Sequence, residues 1–173
     1  MYLKATGITR KIDELGRIVI PKEIRRNLGI RDGETLEIFT EDEAILLKKH
    51  SIMQNFEELG TKLCNIISSI LSVDIIITDR EKIIATSKES TYLNCTLSKE
   101  LMSLIDNRET NLSEEKRKII LEDQTIEGYF SICPIISSID SLGLIIIISE
   151  KQEDYIYLAK VLSKIMSDKL DIY

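Results

Sequence analysis

The chain has 173 residues, 43% of them hydrophobic and 30% charged, the balance of a soluble globular protein of one medium domain or two smaller ones. Its net charge of -6 argues against nucleic acid as a partner of the whole surface, but the average conceals an asymmetry. Residues 1–31 carry eight basic against three acidic side chains, a net +5 that leaves -11 on the rest, the pattern of a local phosphate contact on an acidic body. Three cysteines (Cys64, Cys95, Cys133) and the single His50 lack metal-ligand spacing, so neither a zinc site nor a disulfide framework is expected. Residues 1–10 have no apolar core, and the longest apolar stretch, Leu142 to Ile148, is far below the ~20 residues that span a bilayer. The expected setting is the cytoplasm, with no signal peptide and no membrane contact.

In chain order, Thr6 to Ile12 reads as a strand, Asp13-Glu14-Leu15-Gly16 as a turn and Arg17 to Ile20 as a second short strand. Pro21 stands where a helix can begin, because its missing N–H is not needed in the first turn. Lys22 to Leu28 gives about two helical turns, Ile24 and Leu28 sharing a buried face and Gly29 closing the end. Asp32-Gly33 is a turn, and Thr35 to Thr40 with Ala44 to Lys49 form a hairpin around Glu41-Asp42-Glu43. A unit of this size seldom buries enough apolar surface to fold alone, so residues 1–50 are expected to fold as a dimer with a shared core.

Residues 51–55 read as a polar linker, and 56–173 as a second, α+β domain. Phe56, Leu59, Leu63, Ile66 and Ile70 repeat at steps of three and four, a helix with a narrow apolar seam. Val73 to Thr78 and Lys82 to Thr86 make a strand pair across the turn 79–81. Ser87 to Thr96 is a polar loop, Ser98 caps a helix through Ile105, and Ile119 to Glu122 is a short strand. Tyr129 to Ile136 and Leu142 to Ser149 are strands joined through Ser137 to Ser141, and Tyr155, Leu158, Leu162 and Ile165 mark a last helix. No internal repeat is visible.

The run Lys4 to Ile30, with Gly16-Arg17, the Ile20-Pro21 step and the paired Arg25-Arg26, closely resembles the AbrB family of transition-state regulators, and Gly33 to Lys49 continues the likeness. The resemblance implies a swapped-hairpin β-barrel dimer that contacts double-stranded DNA through the matching Arg10, Arg17, Arg25 and Arg26. Lys4, Lys11 and Lys22 crowd into the same stretch. The remainder is similar to a member of that family carrying a C-terminal GAF domain, an α/β sandwich, through Ile76-Ile77-Thr78-Asp79-Arg80, Tyr92-Leu93-Asn94, Pro134-Ile135-Ile136 and Leu142-Gly143. This likeness implies a homotetramer and a nucleoid-associated regulator of sporulation genes in the forespore, activating or repressing at AT-rich promoters.

Each feature has a simpler counterpart. Arginines are mostly solvated surface, but four of them with three lysines in so short a stretch favour phosphate contact. Lys22 to Leu28 is too short for an ordinary recognition helix, so specificity is expected to lean on DNA shape. Asp13, Glu14 and Glu23 could form an acid/base pair; without a nucleophile or metal ligand, orienting arginines and balancing charge suit them better. The seams Phe56, Leu59, Leu63, Ile66, Ile70 and Leu158, Leu162, Ile165 could pack only on their own sheet, but their position favours pairing between copies. The loop with Ser87, Ser90, Tyr92, Asn94 and Cys95 could hold an unidentified small ligand or be plain surface; no cofactor is indicated. A redox enzyme acting through Cys95 is disfavoured because no His lowers its pKa. An antitoxin is the other alternative, disfavoured because 56–173 reads as folded rather than as a toxin-binding tail.

Overall fold

The computed structural model describes residues 6–30, 32–33, 35–42, 44–49, 53, 56–88, 90–121, 124–137 and 140–170. Contacts divide the chain into two compact units, Met1–His50 and Ser51–Tyr173. Of the expected linker 51–55 only Met53 is among the described residues, and it is buried in the core of the second unit.

In the first unit, residues 6–12 and 17–20 are irregular arms on either side of a turn, not the strands expected from their β-branched composition. A strand exists by its ladder, and neither arm has one among the described residues. Helix α1 (Lys22–Asn27) follows Pro21 and stops in a Schellman motif. Ile30 N–H donates to Arg25 O (2.7 Å) and Gly29 N–H to Arg26 O, with Gly29 at a φ of 61° that a side chain would strain. The expected burial of Leu28 beside Ile24 does not occur: Leu28 is 58% exposed and no α1 residue is fully buried. β1 (Leu36–Glu41) and β2 (Ala44–Lys49) pair antiparallel from Leu36↔Lys49 to Glu41↔Ala44. Among the described residues this hairpin is the unit's only ladder, so no barrel closes within one chain.

The second unit is a mixed α+β layer structure. α2 (Glu57–Leu71) leads into β3 (Asp74–Thr78), β4 (Ile83–Thr86), α3 (Lys99–Asn107), β5 (Asn111–Leu112) and β6 (Arg117–Leu121). β7 (Gln124–Ser137), β8 (Asp140–Ser149) and α4 (Ile156–Leu170) complete it. The sheet order is β4-β3-β8-β7-β5, with β6 paired to β7. Two expectations are corrected here. β7 begins at Gln124 rather than Tyr129, and the two-residue β5 was not foreseen. The long strands also pair through Ser137↔Asp140, so Ser137, Asp140 and Ser141, expected in the connection, are strand residues.

Both sheet faces are covered, which is why β3 and β8 read as nearly continuous Ile and Leu. Ile75, Ile77, Ile145, Ile147, Cys133 and Ile135 face α2 and α4; Ile76, Leu144, Ile146, Ile148, Phe130 and Ile132 face α3 and β6. On the first side, packing is tight enough that Gly60 of α2 lies against Ala85, where a Cβ would come within 2.9 Å of the alanine methyl. β7 loses its outer ladder beyond Ile132. There α4 supplies the missing donors: Ser163 Oγ–H donates to Pro134 O and Ser167 Oγ–H to Ile136 O, both at 2.7 Å. Proline, which cannot donate to a ladder, is tolerated at such an edge.

Candidate nucleic-acid interface

The basic residues of the first unit hang on two local devices. The first is the turn between the arms. Asp13 N–H donates to Arg17 O and Gly16 N–H to Asp13 O, each 3.0 Å, with Gly16 at a φ of 74°. Asp13 Oδ1 accepts from Leu15 N (3.0 Å) and Arg17 N (2.8 Å), the side-chain-to-backbone bonding that suits aspartate to turns. Its other oxygen, Oδ2, accepts from Arg17 Nε at 2.7 Å. These bonds, the Arg17 backbone N–H first and its side chain second, hold the Asp13 carboxyl below its ordinary pKa. The Arg17 side chain stays 72% exposed, so its terminal nitrogens project into solvent from a fixed base.

The second device is α1. Arg25, only 34% exposed in its side chain, is ion-paired through Nη1 to Asp32 of the following turn, and its Nε is buried with no hydrogen-bond partner among the described residues. Arg26 is exposed in the last helical turn beside it, and Lys22 is exposed in the first. Arg10 is exposed on the first arm, its Nη1 donating to Thr9 O at 2.9 Å, and Lys11 follows, also exposed. Lys4 lies outside the described residues. Asp13 thus orients an arginine, while the pairing of Asp32 with Arg25 was missed: Asp32-Gly33 carried only the signal of a turn.

Apolar side chains surround these charges. Ile12, Leu15, Ile18, Val19, Leu28, Ile38 and Ile45 are all exposed, far more than a unit of this size leaves to water by chance.

In the second unit the residues expected to hold a ligand are engaged locally. Ser87 Oγ accepts from Ile75 N (2.8 Å), and Asn94 Oδ1 accepts from Lys82 Nζ (3.1 Å). Ser90 O accepts from Leu93 N, and Tyr92 and Cys95 lie partly buried against the core on the α3 side. A void on the α3 side of the sheet, between Ile76, Leu101, Ile119, Leu121, Phe130 and Ile146, has a volume of about 10 Å³ and an apolar lining, and none of the five loop residues lines it. A cavity of that size scarcely admits one water. No cysteine is in a disulfide, and burial pushes the Cys64 thiol up to about 12 and raises that of Cys133.

The seam residues separate into two groups. Phe56 and Leu162 are buried in their own core, and Leu59, Leu63 and Leu158 pack partly against it. Ile66, Ile70 and Ile165 face solvent, together with Leu71, Tyr157 and Val161. The fully buried residues of α2 are Gly60 and Cys64, beside the partly buried Leu59 and Leu63. No described helix is long and apolar enough to cross a membrane.

Comparison with known proteins follows the same division. The family described as Stage V sporulation protein T C-terminal, transcription factor, matches residues 55–170, and the family described as Antidote-toxin recognition MazE, bacterial antitoxin, matches residues 9–54. The chain is 37% identical over 156 residues to Stage V sporulation protein T of Bacillus subtilis, covering 87% of each. Over 50 residues it is 60% identical to Transition state regulatory protein AbrB of Bacillus subtilis, covering 29% of this chain and 52% of that one. A solution structure of the N-terminal DNA recognition domain of the Bacillus subtilis transition-state regulator AbrB matches 28% of this chain and 91% of its own, at 60% identity and a TM-score of 0.25. With a family match across two thirds of its residues and a relative aligned along most of both lengths, the chain belongs to the stage V sporulation protein T family of transcription factors.

Proposed function

We propose that this protein is a DNA-binding regulator of sporulation genes, whose first unit pairs with a second copy into a swapped-hairpin β-barrel and grips double-stranded DNA. The observation that carries the reading is the exposed basic set of Arg10, Arg17, Arg26, Lys11 and Lys22 on a 50-residue unit 60% identical to AbrB. Pairing is supported by the two arms without ladders and by the exposed apolar side chains beside them, which a partner's arms would cover. Two-fold symmetry would then double the cationic set on one face. Arg25, half-buried and pinned by Asp32, contributes its charge from a fixed place.

The second unit, read as a GAF-type domain, assembles two such dimers through the exposed faces of α2 and α4, with Ile66, Ile70 and Ile165 at the contact. Linking two grips raises their effective concentration on one duplex, and this suits a regulator of AT-rich promoter regions. A small ligand of the second unit would tune DNA affinity only by favouring one arrangement of the grips over another.

The test is fluorescence anisotropy on an AT-rich promoter-length duplex across a salt series. Wild type is compared with Arg17→Ala and with Arg25→Ala/Arg26→Ala, each checked for fold and oligomeric state. Steep salt dependence in wild type and its collapse in the folded variants are expected. No binding by wild type at low salt would overturn the proposal. It would favour the antitoxin reading, to which the match of residues 9–54 points, with a protein toxin as the partner.

A further inference from the structure

Three arginines of the first unit, Arg10, Arg17 and Arg25, are not held alike. Arg10 uses an Nη on a backbone carbonyl beside it, and Arg25 uses an Nη on Asp32. Arg17 is tied at Nε, on the side of the guanidinium, and 72% of its side chain is open. An arginine fixed at Nε has its end-on fork, one hydrogen from each Nη, free to point away from the protein. That fork matches the O6 and N7 acceptors of guanine in the major groove, whereas a flexible arginine spends its charge on phosphate without regard to sequence. The base of the fork is also rigid: four hydrogen bonds close the turn 13–17, two of them to Asp13 Oδ1.

We propose that Asp13 is a specificity-determining positioning residue, which holds Arg17 so that its terminal nitrogens read guanine rather than phosphate. This rests on the DNA-binding reading above and names the division of labour within it. Arg17 supplies discrimination; Arg10 and Arg26 supply salt-dependent affinity. An aspartate in a phosphate-binding face is otherwise a liability, since it repels the same backbone its neighbours attract. Its place beside Arg17 is explained by what it does to the geometry of the fork.

The two oxygens of Asp13 allow a clean test in the full-length protein. In Asp13→Asn the amide oxygen can still accept from Leu15 N and Arg17 N, so the turn is kept. The amide nitrogen that replaces Oδ2 cannot accept from Arg17 Nε. The pair is exposed, so little stability is lost with it. The probes are two AT-rich duplexes of one sequence with interspersed G·C pairs, one containing guanine and the other 7-deazaguanine, which lacks the N7 acceptor. Wild type should bind the guanine duplex about tenfold more tightly. Asp13→Asn should bind both duplexes equally, at an affinity no lower than wild type on the 7-deaza duplex and with a salt slope no shallower than wild type, since the released Arg17 is free to meet phosphate. Arg26→Ala should keep the tenfold ratio and lose part of the salt slope, which separates the two roles. Asp13→Asn retaining the wild-type ratio overturns the proposal, as does a wild type indifferent to N7 while still binding in a salt-dependent way. Absence of any binding by wild type instead removes the DNA-binding reading itself, so the two failures are distinguishable.

Discussion

Replacing Gly143 by alanine tests the tightest point of the second unit. A Cβ there would lie 1.8 Å from Thr78 O, 2.7 Å from Thr78 C and 3.1 Å from the Asp79 Cα. All three are backbone atoms, so no rotamer change relieves the contact, and β8 must retreat from β3 by about 1.2 Å before the methyl is even tightly accommodated. The neighbouring bond from Leu144 N to Thr78 Oγ1, 3.0 Å and buried, cannot survive that displacement. Overpacking costs about 1–3 kcal/mol and a buried amide left without its acceptor about 1–3 more, so a loss of about 2–6 kcal/mol is expected. For a unit of this size that lowers Tm by about 10 °C or more, read by circular dichroism at fixed protein concentration. Gly16→Ala is the contrast. Its φ is 74° but nothing lies within 4 Å, so it carries only left-handed strain, about 1–2 kcal/mol, confined to the first unit. A Gly143→Ala protein within 1 kcal/mol of wild type would show that β3 and β8 do not approach as described.

Ser163→Ala should destabilise the second unit by about 1 kcal/mol in urea unfolding, because Pro134 O loses its hydroxyl donor and keeps only the weak Cys133 S–H at 3.7 Å. Leu162→Ala should cost about 2–5 kcal/mol, whereas Ile165→Ala, three residues on but facing solvent, should leave monomer stability nearly unchanged and alter only the assembly seen by sedimentation. Iodoacetamide at pH 8 should label Cys95 well before Cys64 and Cys133. Burial raises both of the latter thiols, Cys64 to about 12, so their reactive thiolate is scarce until pH rises through those values or the unit unfolds.

Most of the second unit could be read from its residues because each element satisfies itself locally. Ser98 accepts from Leu101 N where the cap was expected, and the isoleucine runs of β3 and β8 are the mark of strands covered on both faces. The early start of β7 was also written in the chain: buried Ile126, Gly128 and Phe130 alternate with Thr125, Glu127 and Tyr129. β5 carries no such signal, since two residues cannot show a period; it exists because β7 offers an edge at Ser131 and Ile132. The arms of the first unit fail in the opposite sense. Ile8 to Ile12 and Arg17 to Ile20 have strand composition, but composition does not provide a ladder, and neither arm has one among the described residues. At the candidate interface the arginines were legible as a cluster. Their individual tethers were not, because Asp13 and Asp32 look alike in sequence, and only geometry shows that one holds Nε and the other an Nη.

Different neighbours hold the two ends of β7. Residues Gln124 to Gly128 pair with β6, and Ile126 packs there with Ile119 and Leu121 on the side of the sheet that faces α3. Tyr129 to Ser137 lie in the main sheet, their far carbonyls bonded by the serines of α4. One continuous backbone therefore clasps the covers of both faces, so that neither the β6 flap nor the C-terminal helix can peel away without drawing on the same strand.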